Sequence, residues 1–460
     1  MDWASTILLL WFGSLFMIQL FLIWRLAQAY LSPKDSFSEP NPWPQVLAIL
    51  CLRGTDPFLP ECLRRLANMK YANFTLRIVI DSENDPACET VKAFLHAESP
   101  SHVEVTYLRN RRPHCSGKFS GILAATEKLP EGCEIVAFFD GDTMVFPDCL
   151  KELVAPLQDE RIGVTSGNRW YAPQSQNFAS LVRFTWNALA VPFMNVAQMP
   201  WGGCMALRAR EMSNPAVREY CEQRFNEDMT LGSYVIQQGQ RVFFVTNATI
   251  VNHETITMKS FYNFLVRQLL AVRSSFFGWR LLFVNILALN LSVLALYCLA
   301  FPIPCKAEVA SSLLGIALLL YLGMLGSDFM IREKIAHRGE TIPRWPITTL
   351  FVLPVAMVCV NSLNLVASIQ ALWGGIHVWR GITYRFSYRR PIPYSTVVDV
   401  QSLATNDSVL GEFARNDPAL MLDMQKACQT GTMMPASAMD PIPLPIDFGK
   451  TEETFRRNGF

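Results

Sequence analysis

Asp140-Gly141-Asp142 closes a run of four apolar residues (136–139), and Pro147-Asp148 marks a new helix start directly after it. A buried strand that delivers two carboxylates one residue apart to solvent suits a divalent metal carrying a diphosphate. In an extended turn both side chains can project to one side, and the glycine between them lets the backbone come close. Mg²⁺ or Mn²⁺ prefers such hard oxygen ligands and completes its shell with water and phosphate oxygens. The same three residues alone also read as a solvated loop, so the surrounding elements decide between the two.

Within residues 44–255 short apolar runs alternate with helix-like stretches, the pattern of an α/β domain with a mostly parallel, Rossmann-like sheet. Strands are expected at 45–52, 76–80 and 103–108 and in the run that ends at Asp140, with helices near 60–69, 88–96 and 118–128. Ligands of open α/β sheets bind outside the carboxyl ends of the strands. Asp81 and Asp140 both stand at such ends, which places them on one crevice.

A hydrophobic fraction of 51% against 17% charged residues is too apolar for a simple soluble enzyme. The excess is concentrated at 6–23, 281–305, 311–330 and 348–373, each near the ~20 residues that cross a bilayer. Residues 1–30 read as an uncleaved anchor: Asp2 and no cation precede the apolar run, unlike a signal peptide, and Arg25 and Lys34 follow it. The positive-inside rule then puts the N-terminus outside and the large domain in the cytoplasm. The twelve cysteines are scattered with no Cys-x-x-Cys pair, and the six histidines are dispersed, so no zinc site is legible and reduced thiols fit a cytoplasmic domain. No basic patch interleaved with aromatic residues points to nucleic acid.

The ordered segments PQVLAILCLRGTDPFLPECLRRL, LRIVIDSENDPACETVKAFL, DGDTMVFPDCL, WGGCMALRAREM and FNEDMTLGSYVIQQGQRVFF resemble the GT-A glycosyltransferases of family 2, closest to the ceramide glucosyltransferase-like branch, family 21. The resemblance covers about residues 44–275 and the membrane-anchored layout. It implies a GT-A catalytic domain between N- and C-terminal transmembrane helices, a UDP-sugar donor and a lipid acceptor. By its terms Asp81 contacts the uracil or ribose, and Lys118 lies near the donor diphosphate, with Arg111 and Arg112 adding positive potential. Asp140 and Asp142 hold the metal, here Mg²⁺ or Mn²⁺, as a Lewis acid for the departing charge. Gly202 and Gly203 form the acceptor-side strand start. Glu227-Asp228 matches the family's acidic pair, with Asp228 as the general base of an inverting transfer. Two acids at a helix start also complement its dipole without any catalysis.

One motif departs from the pattern. The family's (Gln/Arg)-x-x-Arg-Trp motif is matched by Arg267 at its first position, but Leu270-Ala271 stand where Arg-Trp is expected. Arg273, three residues further on, is the cation expected to substitute toward the diphosphate. The stretch 256–280 reads as an interfacial amphipathic helix. Beyond it, Trp379, Arg380 and Tyr384 resemble the branch's Trp-Arg-Gly-x-x-Tyr element near the active site, with an interfacial aromatic anchor as the plain alternative. Basic residues flank 348–373 on both sides, so positive-inside logic wants both groups cytoplasmic. Pro354 and the polar 361–364 cluster point to a kinked or re-entrant hairpin within 281–373. Residues 374–460 read as a basic segment and a loosely ordered cytoplasmic tail. The expected protein is a membrane glycosyltransferase, with a polysaccharide synthase and a catalytically degenerate membrane scaffold as alternatives.

Overall fold

A computed structural model of the chain describes residues 3–31, 37–173, 175, 177–276, 278–299, 307–340, 342, 344–373, 375–388 and 398–404. Helix α1 (Trp3–Leu31) precedes a domain built from β1 (Gln45–Leu52), α2 (Leu59–Ala67), β2 (Phe74–Ile80), α3 (Ala87–Glu98), β3 (Val103–Tyr107), α4 (Gly117–Ala125) and β4 (Cys133–Phe139). The domain continues through α5 (Cys149–Val154), β5 (Ile162–Tyr171), α6 (Phe178–Val196), β6 (Cys204–Arg208), α7 (Ala209–Ser213), α8 (Pro215–Glu222), α9 (Glu227–Gln237) and β7 (Arg241–Asn252). Then follow α10 (Met258–Ser275), α11 (Trp279–Leu299), α12 (Ala307–Ala336), α13 (Ile347–Trp373), β8 (Gly375–Trp379), β9 (Ile382–Tyr388) and β10 (Val398–Ala404).

The seven-stranded sheet runs β3-β2-β1-β4-β6-β5-β7, all parallel to their neighbours except β6. Chain order reverses between β1 and β4, so the crevice beyond their carboxyl ends is the switch point where such sheets take ligands. Both sheet faces are covered, which is why the inner strands read as unbroken apolar runs. Val46, Ala48 and Leu50 of β1 pack with Cys62 of α2, Val91 of α3 and Leu150 of α5. Leu47 and Ile49 point the other way, toward Phe119 of α4 and Leu231 of α9. This is the α/β layout the sequence implied.

Among the described residues three helical stretches, Leu10–Leu31, Leu314–Ala336 and Ile347–Trp373, are long and apolar enough to cross a membrane. Helices α1 and α12 approach closely because Gly323 has no side chain: a Cβ there would collide with Ile23. The Tyr30 hydroxyl shares a 2.8 Å hydrogen bond with Thr249 Oγ1, which ties α1 to β7. The anchor is thus packed onto the domain as well as joined to it.

The expected hairpin at 348–373 is corrected: the helix runs unbroken from Ile347 to Trp373 through Pro354. Proline removes the bond to the carbonyl four residues earlier, and that carbonyl, Leu350 O, accepts instead from the Tyr321 hydroxyl at 3.0 Å. One face of α13 (Leu353, Ala356, Val360, Ala367, Ala371) is buried, while Phe351, Val355, Val366 and Trp373 are exposed. Both ends return to the same domain. Trp345, just before α13, packs at a tilt against Phe184 of α6, and Arg380, just after it, pairs with Asp56. Trp345 and Arg380, on either side of α13, therefore both contact the domain although the helix between them does not reverse.

In α10, Phe261, Leu265, Val266 and Leu270 are buried against α6 and α13. Within the stretch read as a loose tail, β10 pairs antiparallel with β9. The remainder of that tail, with Arg389 and Arg390, lies outside the described residues.

Candidate active site

The crevice is organised around one lysine. Ser116 caps α4 by accepting from Phe119 N at 3.1 Å, and the first turn of the helix carries Lys118 inward. Its ammonium reaches Asp140 Oδ1 at 2.5 Å, Glu227 Oε1 at 2.6 Å and the Gly202 carbonyl at 2.9 Å. All three of its donors are therefore spent on protein acceptors. Burial works against the charge, but the Asp140 and Glu227 carboxylates outweigh it and hold Lys118 above the usual lysine range. Lys118 clamps the Asp140 turn to the Glu227-Asp228 pair.

The close backbone approach is made at Gly202 and Gly203. A Cβ on Gly202 would collide with the Glu227 carboxylate, and one on Gly203 with the Trp201 ring and, at 2.5 Å, Asp140 Oδ2. At Gly141, expected to serve this purpose, a Cβ would come no nearer than 3.2 Å to a Leu52 methyl. The Asp140 turn is further held by Thr143, whose hydroxyl donates to Gly203 O at 3.0 Å.

Asp228 sits in the first turn of α9. Its Oδ2 accepts from Gly202 N at 3.2 Å, and its Oδ1 from Asn226 Nδ2 at 2.6 Å and Met229 N at 2.7 Å. Burial, reinforced by the adjoining Glu227 carboxylate, pushes its carboxyl up to about 7. A carboxylate poised near neutrality on a crevice wall has the proton affinity of a general base.

Two residues that the sequence reading missed complete the acid cluster. Arg169 of β5 pairs with Asp140 at 3.2 Å and Asp142 at 3.4 Å while its guanidinium lies 4.6 Å from the Trp201 ring centroid. Asn252, the last residue of β7, donates to Asp142 Oδ2 at 3.4 Å. Asp140 is held below the ordinary carboxylate range: burial opposes this, but Lys118 and Arg169 prevail. Asp142 goes the other way, raised by burial, which together with the nearby Asp140, Asp56 and Glu254 charges outweighs Arg169.

The opposite wall is built by the C-terminal hairpin. Arg380 and Gly381 both have positive φ (47° and 75°) between the paired residues Trp379 and Ile382, a two-residue turn of the I′ kind. From that tip Arg380 forks onto Asp56 at 2.7 and 2.6 Å and donates to the Arg53 carbonyl, while Arg53 Nε donates back to Arg380 O at 2.7 Å. Arg53 and Arg111 both pair with Asp81. The buried Tyr384 hydroxyl accepts from Gly117 N at 3.1 Å. Trp379, Asp81, Gly117, Lys118 and Leu108 line a half-open pocket above the ends of β1 and β2.

The family model for glycosyl transferase family 21 matches residues 9–392. This chain belongs to glycosyl transferase family 21. An N-acetylglucosaminyltransferase of Mesorhizobium japonicum is 24% identical over 291 residues, covering 58% of this chain and 66% of that protein. A beta-monoglucosyldiacylglycerol synthase of Trichormus variabilis is 26% identical over 185 residues, 38% of each chain. The chain thus spans less than two thirds of the length of either relative. The solved mannosyltransferase of Pyrobaculum calidifontis in complex with GDP-Man and Mn²⁺ superposes with a TM-score of 0.49 at 13% identity, over 80% of this chain and 98% of that one. At that score it adds nothing to the topology already described.

In this family 21 glycosyltransferase the donor set at the Asp140 turn suits a divalent cation. Both carboxylates are a quarter to a third exposed, and neither lies in a closed cage. Among the described residues no cluster of three or more His, Cys, Asp or Glu side chains is arranged to hold a metal by itself. Such a pair of carboxylates fits an ion that takes its other ligands from water and a bound phosphate.

The positions around the lost Arg-Trp pair separate. Arg267 stays at the site, its guanidinium 5.9 Å from the Trp379 ring, and burial and then Arg169 depress its pKa. Leu270 is core, packed with α6, α13 and β9. Arg273 does not replace the missing arginine. It donates to the Ala371 carbonyl of α13 and lies over Trp279. Arg112 also leaves the site, to Glu222 at 3.0 Å and Glu127 at 2.7 Å.

Proposed function

We propose that this glycosyltransferase moves a hexose from a UDP-sugar to the hydroxyl of a membrane lipid, with inversion at the anomeric carbon. The observation that carries this reading is the Asp228 carboxyl, raised to about 7 and held through Gly202 against the Lys118–Asp140 clamp. In the proposed step Asp228 takes the acceptor hydroxyl proton as the oxygen attacks the anomeric carbon. The bond from that carbon to the diphosphate breaks, and UDP departs with the electron pair. Asp140 and Asp142 would hold Mg²⁺ or Mn²⁺, which supplies Lewis-acid neutralisation of the diphosphate. Asp81 with Arg53 and Arg111, Trp379 and Tyr384 line the nucleoside side, and Arg380 fixes that wall to Asp56. Glu227 and Lys118 position the two carboxylate groups, and Arg267 supplies positive potential toward the phosphates.

Support for a lipid acceptor comes from the apolar helices packed onto the domain and from the similar synthase named for a glucosyldiacylglycerol. Arg25, following the anchor, favours a cytoplasmic catalytic domain. The test uses purified protein in lipid nanodiscs with radiolabelled UDP-sugars and Mn²⁺. The reading expects a lipid-linked product, lost with chelator and reduced at least about a hundredfold in Asp228→Asn. Polymer in place of glycolipid, or donor turnover unchanged in Asp228→Asn, would reject it.

A further inference from the structure

Lys118 fixes Asp140 at 2.5 Å, but the second carboxylate of that turn is held more loosely. Among the described residues Asp142 accepts two hydrogen bonds, each of 3.4 Å, at Oδ1 from Arg169 Nη2 and at Oδ2 from Asn252 Nδ2. Bonds of that length lie beyond the usual range and constrain a carboxylate weakly. The direction of Asp142 therefore depends on how firmly Arg169 and Asn252 are themselves held. Both lead to one side chain, Arg183 of α6.

On one arm, Arg183 Nη1 donates to Glu254 Oε2 at 2.5 Å and Nη2 donates to the Glu254 carbonyl. Glu254 N in turn donates to Asn252 Oδ1 at 2.9 Å, which leaves the other end of that amide for Asp142. On the second arm the Arg183 guanidinium lies 4.1 Å from the Tyr171 ring centroid, and the Tyr171 hydroxyl accepts from Arg169 Nη1 at 3.2 Å. Strand register brings the two arms within reach of one guanidinium. Arg169 and Tyr171 stand two residues apart on one face of β5, and Tyr171 is the cross-strand partner of Asn252 in β7. The contacts close a ring in which Arg183 stands opposite Asp142. Core packing alone does not account for this arginine. It is 2% exposed, and its Nε has no hydrogen-bond partner among the described residues. An unmatched buried donor costs stability, and hydrocarbon often serves a core as well as a buried ion pair does. Its neighbours on α6 are seated by helices of membrane character: Val182 clusters with residues of α10 and α13, and Phe184 with residues of α1 and α12.

We infer that Arg183 is a positioning residue for Asp142. It orients that carboxylate through Tyr171 and Arg169 on one side and through Glu254 and Asn252 on the other, and so sets the affinity of the Asp140 turn for its divalent cation. The inference rests on the metal-assisted reading above, and it adds which side chain outside the acid cluster governs the second carboxylate.

The test titrates Mn²⁺ into the full-length protein in nanodiscs, without substrate, and reads the free ion by electron paramagnetic resonance. Arg183→Met keeps an unbranched side chain in the core and is expected to weaken Mn²⁺ binding about tenfold. Arg183→Lys should not restore it, because an ammonium lacks the planar fork and face that meet Glu254 and Tyr171 together. Tyr171→Phe loses one hydroxyl and keeps the ring, so the fold is retained; it is expected to weaken binding by a few-fold. Added to Tyr171→Phe, Arg183→Met should cost less than it does alone. A second measurement needs no metal. Thermal unfolding of metal-free Asp142→Asn, Tyr171→Phe and the double variant is expected to give midpoint shifts that do not add. Mn²⁺ affinity unmoved in both Arg183→Met and Tyr171→Phe, together with additive midpoint shifts, would overturn the assignment and leave Arg183 as a core ion pair. Absence of Mn²⁺ binding by the unaltered protein, with the shifts still non-additive, would instead reject the metal reading alone and keep the coupling.

Discussion

The indole Nε1 of Trp170 donates to the Asp328 carboxylate at 3.0 Å, joining strand β5 to the membrane-type helix α12. The same carboxylate accepts from Trp345 Nε1 at 2.7 Å and Arg332 Nε at 2.6 Å. Arg169, the neighbour of Trp170 in the strand, points to the other face and onto Asp140 and Asp142. The helix packing and the acid cluster thus share one strand. Asp328→Ala leaves two indoles and a guanidinium short of their acceptor and should destabilise the protein by about 3–5 kcal/mol. Trp170→Phe should cost about 1 kcal/mol. Thermal unfolding in detergent reads both, and equal midpoints would contradict the coupling.

Asp228 sets an expected pH profile. With a carboxyl at about 7, kcat/KM should fall about tenfold per unit below that pH as the base is protonated. Stability runs the opposite way. Between the ordinary 3.8 and about 7 the unfolded chain releases a proton that the folded protein keeps, so this group's contribution is complete below 3.8 and is lost as pH rises toward 7. Asp228→Asn should remove the acid limb of residual activity and flatten that part of the stability curve. An acid limb that survived in Asp228→Asn would assign it to another group.

The glycines should rank by what a methyl group meets. Gly203→Ala drives a Cβ into the Trp201 ring and the Asp140 carboxylate, whereas Gly141→Ala only nudges a Leu52 methyl. We expect Gly203→Ala to weaken Mn²⁺ affinity, read by electron paramagnetic resonance, by on the order of 10–100-fold. Gly141→Ala should stay within a few-fold. The reverse order would show that the close approach lies elsewhere.

Arg380 and Asp56 should behave as one unit. Each of Arg380→Ala and Asp56→Asn should raise the donor KM, and the double variant should be little worse than either, with a coupling of about 1–3 kcal/mol. Additive effects would mean that the fork between them is not what holds the wall. Arg380→Gly is informative because it relieves the positive φ of 47° while losing the same ion pair.

Local patterns carried much of this architecture. The apolar run ending at Leu52, the Asp at the end of β2 and the Asp140 turn are properties of contiguous residues, and the strands fall where those runs predicted. The order of the motifs likewise pointed to the family. What was not legible came from partners far apart in the chain. Nothing near Arg169 or Asn252 says that β5 and β7, paired beyond β6, bring them onto Asp140 and Asp142. The sequence placed Lys118 near the crevice but could not say that Glu227 and Gly202 would exhaust its donors. At α13, Pro354 and the charge pattern argued for a reversal, because the hydroxyl that relieves the proline, Tyr321, lies on another helix.

The turn at Arg380 and Gly381 has a consequence for the order of biosynthesis. Asp81, Asp140 and Asp228 leave the ribosome early, but Arg380 and Tyr384, which wall the pocket beside them, are made only after α13. Until the hairpin after α13 is made, the pocket beside Asp81 lacks the wall that Arg380 and Tyr384 supply. A chain that stalls or mis-inserts before residue 384 therefore keeps its acidic cluster but lacks the finished pocket, so completion of the pocket is tied to completion of the membrane assembly.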